Sequence, residues 1–268
     1  MIKMIFSDMD GTLLDDAGQL PAEFGEVLAE LHRRGVSFAP ASGRQYFALR
    51  QQFAAYADKL IFLAENGAYV VRQGKELFSN VMERALADVV LTDAAKLEPQ
   101  GIYPVLCGKQ SAYVKSHNQV FLDEMGKYYT QYTFVDDFSA VEDEIIKISL
   151  CDAASADAER TIYPRMQICQ DRLQTVLSSN YWVDIMNADN NKGAAIRQLQ
   201  RILGLQPEEC AAFGDYLNDL EMMQAVHYSY AMANAHPEVR QAARFQAPSN
   251  AEHGVIKTIR GLMDKNLL

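Results

Sequence analysis

The sequence predicts an α/β fold: a doubly wound parallel-sheet core interrupted by an inserted α+β domain. Short apolar runs alternate with helix-period segments at both ends of the chain. In the middle, neighbouring apolar runs are separated only by turns such as Ser178-Ser179-Asn180, which forces antiparallel pairing. The length, 268 residues, is near the size at which one core stops growing and a second domain starts.

The elements follow in order. Met4 to Phe6 is an apolar strand that runs into Asp8-Met9-Asp10-Gly11-Thr12. Pro21 opens a helix whose Phe24, Val27, Leu28 and Leu31 share one face, and Gly35 ends it. Val36 to Pro40 is a strand leading into Ser42-Gly43-Arg44, followed by a helix from Gln45 to Tyr56 and a strand from Leu60 to Ala64. Ala68 to Val71 and Glu76 to Phe78 form a hairpin closed at Gln73-Gly74. Strands joined by helices imply a parallel sheet covered on both faces. The middle reads as helix 81–96, strands 102–107 and 112–115, helix 118–129, strands 132–135 and 145–151, helix 155–166, and a strand pair 173–178 and 181–186. Asn187-Ala188-Asp189-Asn190 is a hinge back to the core. Helix 192–203, strand 210–213, helix 218–225, strand 228–232 and two closing helices complete the chain. The core is thus 1–81 with 188–268, and the insert 82–187.

Composition removes several function classes. Hydrophobic residues at 49% and charged residues at 22% describe a globular protein. No apolar run approaches the ~20 residues of a membrane helix, and no basic-then-apolar leader is visible at the N-terminus. Cys107, Cys151, Cys169 and Cys210 lack paired spacing, so neither a disulfide framework nor a zinc site is expected, and a cytoplasmic location fits. A net charge of −10 opposes a nucleic-acid surface, so an anionic substrate must be drawn in locally by a metal and a few placed cations. Oligomeric state leaves no signature.

Alternation along a strand points Asp8 and Asp10 the same way just beyond its end. Two carboxylates about 4 Å apart repel by roughly 4 kcal/mol at an effective dielectric of about 20. A divalent cation, or a nearby Lys or Arg, is therefore expected between them. Ligands of open parallel sheets bind beyond the carboxyl ends of the strands. Asp8, Asp10 and Thr12 fall there, as do Ser42, Gly43 and Arg44, and Gly214, Asp215, Asn218 and Asp219. Lys192 lies at a helix N-terminus, which favours anions. Oxygen-only hard ligands suit Mg²⁺. Taken singly, the pieces also read as an acidic turn, a turn dipeptide, a solvated helix-start lysine and a helix cap. Their order along the chain, each at the end of the element leading to one sheet edge, favours a common site. The five histidines show no metal-ligand spacing.

These residues resemble the haloacid dehalogenase (HAD) superfamily, and within it the Cof-like hydrolases with a class IIB cap. Asp8-Met9-Asp10-Gly11-Thr12 is similar to the family's first motif, Ser42-Gly43-Arg44 to its second, Asn191-Lys192-Gly193 to its third, and Gly214-Asp215 through Asn218-Asp219 to its fourth. Glu65-Asn66-Gly67-Ala68, Asn234-Ala235 and Ser249-Asn250 to Gly254-Val255 are smaller echoes. Tyr216 and Ala233 depart from the pattern, which bears on substrate fit. The resemblance implies a Rossmann-like core whose insert is a specificity cap over the active site.

It further implies a Mg²⁺-dependent phosphatase of small phosphomonoesters such as sugar phosphates. Asp8 would be the nucleophile, forming an aspartyl phosphate, and Asp10 the general acid and base. Asp8, the Asp10 carbonyl, Asp215 and, through water, Asp219 would hold the metal. Ser42, Lys192, the Met9 and Gly43 N–H groups and Asn218 would cradle the phosphate, with Thr12 fixing the loop and Arg44 and Asn66 reaching the substrate or cap. The alternatives are a phosphomutase of the same fold, a C–Cl or C–P cleaving relative, of which the metal-free dehalogenases would lack Asp10, and a non-enzymatic binder, which would have lost one of the four motifs.

Overall fold

Met4–Ser7 is buried along its whole length, with strands on both sides, in a five-stranded parallel sheet. The strand order is Phe245–Ala247, Tyr228–Met232, Cys210–Gly214, Met4–Ser7, Ser37–Pro40, and every neighbouring pair is parallel. Continuous apolar runs such as MIFS and CAAFG, rather than alternating ones, belong to strands covered on both faces. Ile61–Ala64 extends the sheet through parallel bridges Phe38–Leu60 and Ala41–Leu63. It then pairs antiparallel with Tyr69–Arg72, which neighbours Lys75–Ser79. Gln73 and Gly74 turn that hairpin with φ of 51° and 71°, the left-handed pair that a two-residue hairpin turn requires.

The computed structural model describes residues 1–268, and the chain divides into two compact units, Met1–Phe78 with Asn191–Leu268, and Ser79–Asn190. The sequence placed the crossings at 81/82 and 187/188; the contacts place them at 78/79 and 190/191. In the first unit, helix Phe24–Arg33 buries Phe24, Val27, Leu28 and Leu31. It begins three residues after Pro21, which instead accepts a turn bond from Phe24 N–H at 2.9 Å. Helix Lys192–Leu203 opens on the Asn191 side chain, which accepts from Ala194 N–H at 2.7 Å, and closes on left-handed Gly204.

The inserted unit holds a six-stranded sheet ordered Leu173–Leu177, Trp182–Asn187, Ile145–Asp152, Ile102–Gly108, Ala112–Val114, Tyr132–Phe134. Its pairs are antiparallel except the last, which is parallel. Leu106, Ile148, Leu150, Val183 and Ile185 form its core with Leu86, Ala87 and Val90 of helix Arg84–Ala95. Three expected helices are shorter than the sequence suggested. The first starts at Arg84 rather than Val81. The second, Gln119–Met125, is capped by Asn118, whose side chain accepts from Phe121 N–H at 3.1 Å, and stops at Gly126. The third is a single turn, Ala158–Thr161, followed by a 3₁₀ turn Tyr163–Arg165, because Pro164 has no N–H to continue the ladder. No helix is long and apolar enough to cross a membrane.

Candidate active site

Three neighbouring strands of the core sheet end together, and their following loops carry the motif residues. Asp8 N–H donates to Phe213 O at 2.9 Å and Ala41 N–H to Ser7 O at 2.8 Å, tying the three loop origins to one edge. Beyond Ser7 the strand does not continue. Residues Met9–Leu13 coil into a tight turn in which Gly11 has φ of 76°. A Cβ on Gly11 would come within 2.4 Å of Asp215 Oδ2, so only glycine permits that approach.

The turn separates the two aspartates that alternation had set side by side. Asp8 is buried and receives Lys192 Nζ at 2.5 Å. The Asp10 side chain is 62% exposed and is gripped by Arg44, Nε to Oδ2 at 3.2 Å and Nη2 to Oδ1 at 2.7 Å. The expected positive partner therefore exists twice, one cation for each carboxylate.

Asp8, Asp215 and Asp219 each offer a carboxylate oxygen, all within 4.8 Å of one another. Asp219 is already committed: Oδ1 accepts from Lys192 Nζ at 2.6 Å, and Oδ2 accepts the N–H groups of Asp215 at 3.0 Å and Tyr216 at 3.3 Å. It buckles the fourth loop and Lys192 together. Asp215 Oδ1 accepts from Thr12 Oγ1 at 2.8 Å, which leaves its second oxygen, like that of Asp8, turned to no protein donor. Burial raises the Asp8 carboxyl well above the carboxylate range against the opposing pull of Lys192, with the charges of Asp219 and Asp215 adding to the rise. Burial likewise pushes Asp215 up to about 6. Lys192 is raised despite its complete burial, because Asp219 and Asp8 hold its charge. One buried ammonium thus faces three crowded carboxylates, two of them with elevated proton affinity. That oxygen-only set fits a hard divalent cation, which could be held by Asp8 and Asp215 with Asp219 behind them.

The remaining expected residues are distributed around this centre. Ser42 is buried, and its Oγ accepts from Arg44 N–H at 3.2 Å. Gly43 lies between them on the same loop. Met9 is completely buried. Asn218 is exposed on the short turn Leu217–Asp219. Tyr216 is exposed as well, its ring set edge-on to His236 at 5.9 Å.

Individual residues alone gave no sign of the outer braces. Asn234 Nδ2 donates to Gly11 O at 2.8 Å, while its Oδ1 accepts Asn250 N–H at 3.2 Å. Asn250 Nδ2 in turn donates to Leu14 O at 3.1 Å. The two asparagines clamp the first loop from the far end of the chain, and only their place in a family pattern hinted at it.

Residues 5–259 match the family model for haloacid dehalogenase-like hydrolases. The 5-amino-6-(5-phospho-D-ribitylamino)uracil phosphatase YbjI of Escherichia coli (strain K12) is 33% identical over 263 residues, 96% of this chain and 95% of that protein. The solved structure of SMU.1108c from Streptococcus mutans UA159 superposes with a TM-score of 0.85 at 29% identity, covering 98% of this chain and 100% of that one. The HAD subclass IIB sugar phosphatase BT4131 shares the fold, with a TM-score of 0.78 at 21% identity over 97% and 98% of the two chains. With the motif residues gathered at the sheet edge and the match spanning both units, the chain belongs to the haloacid dehalogenase-like hydrolases, in their Cof-like phosphatase group.

Proposed function

We propose that this chain is a Mg²⁺-dependent phosphomonoesterase acting on small phosphorylated metabolites, sugar phosphates among them, through an aspartyl-phosphate intermediate. One observation carries the reading: the buried Asp8 carboxylate is held by a fully buried Lys192, with Asp215 and Asp219 gathered around it. Lys192 orients Asp8 and offsets its charge as it approaches an anionic phosphate. One Asp8 oxygen forms the new bond to phosphorus, and the bond from phosphorus to the ester oxygen breaks. Asp10, at the mouth of the site, delivers a proton to the departing oxygen. It then takes a proton from the water that attacks the acyl phosphate, which frees Asp8 and releases inorganic phosphate.

Ser42, the N–H groups of Met9 and Gly43, Arg44, Asn218 and Lys192 bind the non-bridging oxygens in this reading. Asp8, the Asp10 carbonyl and Asp215 would hold Mg²⁺ directly, with Asp219 supporting it through water, and the bound ion would neutralise phosphate charge and polarise the phosphorus. The net charge of −10 favours a small ligand drawn in by these local cations over nucleic acid. Four free cysteines fit a cytoplasmic setting. The name of the Escherichia coli relative, a phosphatase of a phosphoribitylamino compound, supports a small phosphorylated metabolite as substrate. Phosphate release across a metabolite panel, with and without EDTA, tests the reading: turnover should be abolished by EDTA and restored by Mg²⁺. Full activity in EDTA contradicts it.

A further inference from the structure

The turn Glu65–Gly67 holds three consecutive residues in left-handed backbone, with φ of 53°, 55° and 93°. At Glu65 and Asn66, which carry a Cβ, that conformation is costly and persists only where surrounding structure enforces it. Here it is stitched to the second motif loop. Asn66 N–H donates to Ser42 O at 2.9 Å and Glu65 N–H to Arg44 O at 3.0 Å. The stitching lays the Asn66 amide over Gly43: a Cβ built on Gly43 would meet Asn66 Oδ1 at 3.1 Å and Nδ2 at 3.2 Å. The amide thus occupies the space beside the backbone that a side chain at position 43 would take.

Asn66 Oδ1 is buried and accepts no hydrogen bond. Buried polar atoms are nearly always paired, so this one calls for an explanation. A phosphate oxygen cannot satisfy it, since both are acceptors and one is charged. Its partner must be an O–H or N–H. The residue as a whole is only half-buried, and the terminal torsion of an asparagine amide is soft, so the carbonyl can turn to meet a donor. The same group carries two N–H donors on its other end.

We infer that Asn66 is a specificity-determining residue that reads the leaving group: Nδ2–H faces the ester side of the bound phosphate while Oδ1 accepts from a hydroxyl on the adjacent carbon. The preferred substrates are then vicinal hydroxyalkyl phosphates, the chemistry shared by sugar and polyol phosphates. This rests on the phosphomonoesterase reading above and narrows it.

The test compares two esters that differ by a single hydroxyl, propane-1,2-diol 1-phosphate and propyl phosphate, with wild type, Asn66→Gly and Asn66→Asp. Glycine keeps the left-handed backbone without strain and deletes only the amide. Wild type should favour the diol ester by about tenfold in kcat/KM, the worth of one hydrogen bond to an otherwise unpaired acceptor. Asn66→Gly should lose that ratio: both esters lose the Nδ2 contact, but the diol ester should fall about tenfold further, bringing the two to equal kcat/KM. Asn66→Asp, which keeps an acceptor, should retain the ratio even if both rates fall. An unchanged ratio in Asn66→Gly, or no preference in wild type, overturns the role of Asn66 while leaving the phosphatase reading standing. Release of phosphate from neither ester nor any other panel member defeats the phosphatase reading and this inference with it.

Discussion

Lys192 Nζ sits 2.6 Å from Asp219 Oδ1, and neither side chain has any exposed surface. The same ammonium reaches Asp8 at 2.5 Å, so a single cation locks the first and fourth motif loops to the start of the helix that carries it. Removing one partner of a buried pair leaves an uncompensated charge and costs about 3–5 kcal/mol. Lys192→Met should therefore lower unfolding free energy by about that much, as well as abolish turnover. Urea denaturation checks it, and a loss within ~0.5 kcal/mol, the usual range of a surface substitution, would mean the pair is not structural.

Arg44 and Asp10 make the opposite kind of pair. With the Asp10 side chain 62% exposed, the pair should contribute no more than about 1 kcal/mol to stability. Arg44→Lys keeps the charge but loses the planar fork that now grips both Asp10 oxygens. The expected result is an unchanged melting temperature with kcat/KM reduced by about tenfold, the value of one lost charge-assisted bond. Thermal melts alongside steady-state kinetics separate the two effects.

Thr12 acts through Asp215, whose Oδ1 it holds at 2.8 Å. Thr12→Val removes the hydroxyl at nearly constant volume. Partners that orient a metal-binding carboxylate are typically worth about 10–100-fold in metal affinity. Calorimetric titration of Mg²⁺ should show weakening in that range, and an unaltered affinity would remove Thr12 from the metal's support.

The Asp215 carboxyl, pushed up to about 6 chiefly by burial, binds its proton more tightly in the folded chain than in the unfolded one, where 3.8 is usual. Where the native state binds more protons, stability falls as pH rises. The stabilising contribution of protonated Asp215 is present below 3.8 and lost as pH climbs through about 6. In EDTA, Asp215→Asn should therefore gain stability relative to wild type between pH 5 and pH 7, and Mg²⁺ at pH 7 should reverse the ranking. Melting curves at the two pH values read this directly; a wild type that gains on the variant over that window contradicts it.

Much of this molecule is written locally. Residues 4–7, 37–40 and 210–214 are apolar runs followed at once by polar turns, so their strand character and the placement of Asp8, Ser42 and Asp215 at one edge follow from sequence. What sequence could not show is long-range. Lys192 and Asp8 meet across 184 positions, and Asn234 and Gly11 across 223. The divergence of Asp8 and Asp10 depends on where a strand stops: alternation holds through Ser7, and left-handed Gly11 then redirects the chain. Helix ends failed for a similar reason. Residues 118–129 keep a helical apolar rhythm, yet the helix ends at Met125, where Gly126 follows. Tyr132–Phe134 pairs parallel inside an otherwise antiparallel sheet, a choice that no local pattern encodes.

The formation of a covalent phosphate on Asp8 is tested most directly by rapid acid quench during turnover, borohydride reduction and peptide mass mapping. An acyl phosphate at that carboxyl is reduced to the alcohol, so the peptide containing residue 8 should carry homoserine in place of aspartate, and Asp8→Asn should carry none. Modification at any other residue, or an unmodified Asp8 in enzyme quenched while phosphate is being released, would contradict the assignment of Asp8 as nucleophile.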